Sequence, residues 1–249
     1  MNPEFFNQID EGCYQSNAEI WEFMDQIDND SIDIVFTDPP YPLGKVDIAS
    51  FSNSKKYKTG DHYQQLTKPD LVKFCSVLFD KMKDDSALFL MTNRDNRSFF
   101  EEAITEAGFT IKNELVWVKI TGFDQGMAMG ANYLNGIEYI IYAAKGKIPK
   151  INDAFNVYVK ESPNRGRNSK PECLYAYFLN PVIKKMEQPI IIDPFGGSDP
   201  LTRAKMRGLI HSCTTISNVK ITGDKTDPAV DGLELRSQNL NRWIKFNHH

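Results

Sequence analysis

No stretch of this chain is long and apolar enough to cross a bilayer. Its longest hydrophobic runs, 87–91 and 139–144, fall far short of the roughly 20 residues a spanning helix needs. The opening residues, MNPEFFNQIDEG, lack the basic-then-apolar pattern of a secretory leader, so a cytoplasmic protein with no membrane partner is expected. Cysteine is scarce. Cys13, Cys75, Cys173 and Cys213 are widely spaced with no CxxC pair, which argues against a zinc site or a disulfide framework and for reduced, packed thiols. The four histidines, His62, His211, His248 and His249, form no ligand spacing, and no metal is expected. Positive charge is also in deficit, with a net charge of −4, so a uniformly basic nucleic-acid-coating surface is a poor reading and only a local patch serves. One such patch runs over 145–170, where Lys147, Lys150, Lys160, Arg165 and Arg167 face only Asp153 and Glu161.

What is present is an ordinary globular composition, 41% hydrophobic and 25% charged, over 249 residues, enough for one large α/β domain spanning 1–249. Short apolar runs ending in turn signals alternate with amphipathic stretches, the pattern of βα units around a parallel sheet. Strands are predicted at 32–37, 87–92, 110–120, 137–144, 189–192 and 209–216, and helices at 69–82, 96–107, 171–185 and 200–207. The stretches 42–61 and 152–169 read as long irregular loops, which in compact domains are usually functional or mobile.

Two segments carry chemistry. In SIDIVFTDPPYPLG a buried strand delivers Asp38-Pro39-Pro40-Tyr41 at its carboxyl end, where open α/β sheets bind ligands. Two prolines remove two N–H donors and stiffen the turn, leaving carbonyls between a carboxylate and an aromatic ring. An exocyclic amine needs such acceptors and a flat surface for its base. In PIIIDPFGGSDPLTRAKMRG a second buried strand leads to a carboxylate, a glycine pair and a helix start. Gly196 and Gly197 let backbone approach a ligand closely, and the helix N-terminus offers N–H groups to its polar end.

Together these residues resemble the β-group of DNA amino-methyltransferases, in which the catalytic motif precedes the cofactor motif. Asp38-Pro39-Pro40-Tyr41 matches the catalytic tetrapeptide, Asp193-Pro194-Phe195-x-Gly197 the motif for S-adenosylmethionine (AdoMet), and Lys170-Pro171-Glu172-x-Leu174 the helix start that precedes it. Gly136-Ile137-Glu138 stands where the family usually has a His-Glu pair, and Ser16-Asn17-Ala18 where it has an acidic motif bordering adenine. The resemblance implies a permuted Rossmann-like α/β fold, with a mainly parallel central sheet, helices on both faces, and the two chain ends close together beside the cofactor.

It further implies that AdoMet is held by Asn17, Asp38, Asn168, Lys170, Asp193, Phe195, Gly196, Gly197 and Asn218, and that Asp38, Pro39, Pro40 and Tyr41 are catalytic. The expected partner is double-stranded DNA, with Lys45, Lys55, Lys56, Arg165 and Arg167 as candidate contacts and a small target-recognition segment at 120–169. Related enzymes are often dimers, and a homodimer is compatible with a sequence that carries no interface signature. By the same resemblance the methyl group is expected to go to the amine of a flipped base, adenine N6 preferred over cytosine N4.

The family pattern breaks in two places. Its second cofactor-loop glycine is replaced by Asp199, which with Pro200 reads equally as a capped helix start. The acid expected on the cofactor ribose is absent: Ser217 and Asn218 hold that place, and the nearest carboxylates are Asp224 and Asp227. These departures motivate the alternative, a catalytically silent relative that binds DNA or a partner protein.

Overall fold

A computed structural model describes residues 4–40, 66–120, 136–161 and 170–219. They belong to one compact unit that ends at Val219. In chain order the elements are β1 (Asn7–Asp10), β2 (Cys13–Ser16), α1 (Ile20–Asp25), β3 (Ile32–Thr37), α2 (Lys68–Lys81), β4 (Met82–Thr92), α3 (Arg97–Glu106) and β5 (Thr110–Ile120). They continue with β6 (Ile137–Lys145), β7 (Val157–Glu161), α4 (Glu172–Ile183), β8 (Ile190–Gly197), α5 (Pro200–Met206) and β9 (Thr214–Val219).

Alternate residues of each central strand feed two different cores, as the two-residue period of a strand requires. Val35, Leu88, Leu90, Ile141, Ala143 and Ile192 pack beneath α1, α2 and α3 with Phe23, Phe74 and Phe100. Their neighbours Ile34, Phe36, Phe89, Ile140, Tyr142 and Ile191 pack beneath α4 and α5 with Tyr175, Leu179 and Leu201. A sheet covered on both faces can carry strands that are apolar on both sides, which is why 34–36 and 190–192 read as unbroken hydrophobic runs. The α2 start follows its local chemistry. The Thr67 hydroxyl accepts from the Asp70 N–H, the Asp70 carboxylate accepts from the Thr67 N–H at 3.0 Å, and proline occupies the first turn.

The nine strands form one sheet in the order β1-β2-β9-β8-β3-β4-β6-β5-β7. From β2 to β4 all neighbours are parallel, whereas β6 runs antiparallel to both β4 and β5. From β3 the chain passes through α2 to β4 on one side, and from β8 it passes through α5 to β9 on the other. The carboxyl ends of β3 and β8 therefore flank the point where strand order reverses, the ligand-binding position in open α/β sheets. Early strand β2 lies beside late strand β9, with Ser16 opposite Asn218.

Two expectations need correction. The stretch 152–169 is not wholly irregular, because 157–161 form β7, parallel to β5 at the sheet edge. The last strand begins at Thr214 rather than at 209. Gly208, with φ of 68°, ends α5 in a Schellman motif: its N–H reaches the Lys205 carbonyl at 2.8 Å, and the Leu209 N–H reaches Ala204 at 2.9 Å. The short polar β1 and β2 and the six-residue α1 carried no pattern strong enough to read. Among the described residues no helix is long and apolar enough to cross a membrane.

Candidate active site at the carboxyl ends of β3 and β8

The two central strands are tied together at both ends. At the amino end the Asp33 carboxylate accepts from the Ile190 N–H at 2.8 Å and from Lys83 Nζ at 2.9 Å. At the carboxyl end Thr37 Oγ1 donates to Asp193 Oδ1 at 2.7 Å, linking the last residue of β3 to a carboxylate inside β8. The Phe195 N–H also donates to Asp193 Oδ1, at 3.2 Å, and the Tyr175 hydroxyl donates to Oδ2 at 3.3 Å. Asp193 is only 1% exposed. Burial lifts its carboxyl to about 7, the charges of Asp199 and Asp38 push the same way, and the Thr37 and Phe195 hydrogen bonds oppose them. Burial, and then the Asp193 and Asp38 charges, also raise the Tyr175 phenol.

Asp38 directly follows Thr37, and its side chain is 27% exposed. Its Oδ2 pairs with Lys170 Nζ at 2.7 Å, and the same ammonium pairs with Glu138 Oε2 at 3.0 Å. The other Glu138 oxygen meets Lys119. Burial pushes the Glu138 carboxyl up, but Lys170 and Lys119 outweigh it and leave the group below its ordinary value. Burial works against the Lys170 charge, yet Asp38 and Glu138 hold it above the usual lysine range. Of the two proline carbonyls, that of Pro40 is turned back into the chain, accepting from the Leu66 N–H at 2.9 Å.

The loop after Asp193 is shaped by its glycines. A Cβ on Gly196 would stand 3.3 Å from the Asn218 carbonyl and 3.3 Å from Ser217 Cβ, so β9 approaches too closely for a larger residue. Gly197 has φ of 51°, and a Cβ there would meet only the Phe195 carbonyl, at 3.9 Å. The Phe195 ring packs edge-on against Phe74 at 5.2 Å. Asp199 takes the left-handed conformation, φ 54° and ψ 59°, which explains why a glycine suits this position. Its carboxylate caps α5 by accepting from the Thr202 N–H at 3.1 Å, and its other oxygen accepts from Gln15. Asp199→Gly exchanges a strained backbone for a lost cap, two effects of opposite sign, so stability should change by less than about 1 kcal/mol. The same change should lower the Asp193 pKa by removing a neighbouring charge. Carbon-13 NMR titration of the aspartate carboxyls checks this, and an unmoved Asp193 would show that the two carboxylates do not interact.

Asn218 spends its amide on Ala18, accepting from that residue's N–H and donating to its carbonyl, each at 3.1 Å. It thereby fastens the end of β9 to the segment after β2, while Asn17 is exposed. Ser217 is buried and hydrogen-bonds Thr202 at 3.2 Å. Tyr41, Lys45, Lys55, Lys56, Arg165, Arg167 and Asn168 lie outside the described residues, as do Asp224 and Asp227. The expected Asp38, Pro39, Lys170, Asp193, Phe195 and glycine pair lie together at the carboxyl ends of β3 and β8. Sequence reasoning did not find Thr37, Lys119 or Tyr175, and found Glu138 only as half of a weak pair match. Among the described residues no His, Cys, Asp or Glu group could hold a metal, and none of the four cysteines is paired.

A family model described as DNA methylase, for N6 and N4 methyltransferases, matches residues 32–208. Over 136 residues the chain is 25% identical to the type II methyltransferase M1.MboII of Moraxella bovis, a match covering 55% of this chain and 46% of that protein. The chain thus spans about half the length of that relative. The fold is shared with M1.HpyAVI, solved in complex with SAM, at a TM-score of 0.60 and 16% identity over 89% of this chain and 98% of that one. It is shared equally with the cytosine-N4-specific PvuII DNA methyltransferase, at a TM-score of 0.63 and 15% identity over 91% and 93%. With a family match that runs from the first residue of β3 to the glycine that ends α5, the chain belongs to the DNA methylase family of N6 and N4 methyltransferases.

Proposed function

We propose that this protein is an active DNA amino-methyltransferase that methylates the exocyclic amine of a flipped base, adenine N6 in preference to cytosine N4. The observation that carries this reading is the Thr37–Asp193 hydrogen bond, which joins the last residue of β3, next to Asp38, to the strand that carries the glycine pair. A group bound over Gly196 and Gly197 is thereby set beside Asp38. The residues fit AdoMet: Gly197 leaves open space above the loop, and the carboxylates of Asp199 and, above about pH 7, of Asp193 create a negative field suited to a ligand with a sulfonium and an ammonium. When bound, AdoMet supplies a methyl group on positively charged sulfur.

The protein's own part is to hold the amine. Base pairing occupies that amine in a duplex, so the nucleotide must leave the stack before the site can take it. Asp38 and the Pro39 carbonyl accept its two hydrogens, which keeps electron density on nitrogen and fixes its direction. Tyr41 stacks on the base. Lys45, Lys55, Lys56, Arg165 and Arg167 contact the DNA, and the segment 120–169 contributes to target choice. The preference for adenine rests on the tetrapeptide. Of the two departures that motivated a silent relative, Asp199 is accounted for by its helix cap, which favours the active reading, whereas the missing ribose acid is not replaced by Asn218, whose amide is spent on Ala18.

The test is incubation of the full chain with methyl-labelled AdoMet and mixed-sequence duplex DNA, followed by nucleoside analysis. N6-methyladenine is expected. N4-methylcytosine would overturn the adenine preference, and label on neither nucleoside would overturn the activity.

A further inference from the structure

We infer that Lys170 is a positioning residue for Asp38 rather than a ligand of the cofactor, and that Glu138, itself held by Lys119, sets the place of Lys170. The inference rests on the methyltransferase reading above and changes the role that the sequence resemblance implied for Lys170. The Lys170 side chain is 11% exposed, and its ammonium lies between two carboxylates, Asp38 Oδ2 at 2.7 Å and Glu138 Oε2 at 3.0 Å. An ammonium has three donors, and two of them are spent here. The row of alternating charge continues from Glu138 to Lys119. Two lysines against two carboxylates leave the cluster neutral, so it neither repels a cationic cofactor nor offers a spare positive charge to a carboxylate.

The four side chains come from four parts of the fold. Asp38 follows β3, Lys119 is in β5, Glu138 is in β6, and Lys170 stands just before α4. Such a cross-brace has a consequence for Asp38. With Oδ2 fixed by Lys170, Oδ1 is the oxygen presented to a substrate amine, and rotation of the carboxylate is suppressed. Preorganising an acceptor in this way matters most when charge develops on the reacting nitrogen. The other face of the clamp explains Glu138. Without it, Lys170 has one anionic partner instead of two, and its ammonium is free to swing from Asp38 toward solvent.

The experiment compares the full chain with Lys170→Met, Lys170→Arg and Glu138→Gln. AdoMet affinity is measured by calorimetry, and methyl transfer to duplex DNA as a single-turnover rate at saturating AdoMet. Lys170→Met should slow transfer by about 100-fold, and Glu138→Gln by about 10-fold, with AdoMet Kd changed by less than about threefold in each. Lys170→Arg should recover part of the rate, because it restores the charge between the two carboxylates. A Kd raised tenfold or more by Lys170→Met, with the saturated rate within about twofold of the parent, would overturn the inference and make Lys170 a cofactor ligand. If the parent chain does not methylate DNA, the functional reading fails on its own, and crystal structures of the variants decide the positioning role. An Asp38 carboxylate displaced in Lys170→Met or Glu138→Gln, with the Thr37–Asp193 bond intact, supports it; an unmoved Asp38 in both overturns it. Glu138→Gln keeps the size of the side chain and one acceptor oxygen while removing its charge, so it answers the question even if Lys170→Met does not fold.

Discussion

Asp38→Ala is expected to reduce methyl transfer by at least about 10³-fold, on the order of 4 kcal/mol of barrier, while AdoMet binds within about threefold of the parent affinity. The separation follows from where the residue sits. Asp38 lies beyond the end of β3, 27% exposed, and is not among the hydrogen-bond partners of Asp193, which are Thr37, Phe195 and Tyr175. Its removal deletes an acceptor from the amine site without touching the glycine loop. The fold should tolerate the change, because Lys170 keeps Glu138 as a partner and Glu138 keeps Lys119. Rates at saturating AdoMet, taken beside calorimetric affinities on the same preparation, give the measurement. A variant that transfers methyl at a rate within tenfold of the parent would remove Asp38 from the chemistry. A variant with equal losses in rate and affinity would place it on the cofactor instead.

Much of the fold was legible because its central strands are covered on both faces. The run at 32–37 is apolar enough to be read as buried without knowing its neighbours, and β3 has those bounds. The run at 110–120 likewise coincides with β5. The edges were not legible for the opposite reason. β1 is NQID, four largely exposed residues whose pairing with β2 and, through it, with β9 is a tertiary effect no local pattern announces. β7 is held in register by β5, with the Trp117 indole donating to the Lys160 carbonyl at 3.1 Å; its sequence VYVKE carries β-formers, but the run is short and adjoins polar loop on its amino side.

The same division runs through the site. Asp38, Asp193 and the glycines stand in contiguous motifs and were found there. Thr37 and Tyr175 matter only because they reach Asp193 across 156 and 18 residues of sequence, and a threonine ending a strand or a tyrosine in an apolar helix is otherwise ordinary. Lys170 was legible as a residue, but its ion pairs were not. The motif places it before a helix, whereas its partners Asp38 and Glu138 come from separate strands that only the sheet order brings together.

Asp193→Asn should raise stability at pH 8 and weaken cofactor binding there, because one buried charge does both jobs. The carboxyl has an ordinary value of 3.8 and lies at about 7 in the folded protein, lifted first by burial. The folded state therefore holds this proton more tightly than the unfolded chain does. Its stabilising contribution is fully present below about pH 4, is lost as pH rises toward about 7, and is flat above that. The loss amounts to on the order of 4 kcal/mol at pH 8. Asparagine keeps an oxygen to accept from Thr37 Oγ1 and carries no charge, so its unfolding free energy should lack this fall between pH 4 and 7. Parent and variant should differ less at pH 5 than at pH 8, where they are furthest apart and the variant is the more stable. For AdoMet the sign reverses. A cation gains from the ionised carboxylate, so the parent's affinity should rise as pH increases through about 7, while the variant's should stay level and weaker. Urea unfolding at pH 5 and 8, with AdoMet titrations at pH 6 and 8, reads both halves. A parent whose affinity does not change between those two values would mean that Asp193 is already ionised at pH 6 or does not face the cofactor. In the first case the stability difference between parent and variant at pH 8 would also shrink, which tells the two apart.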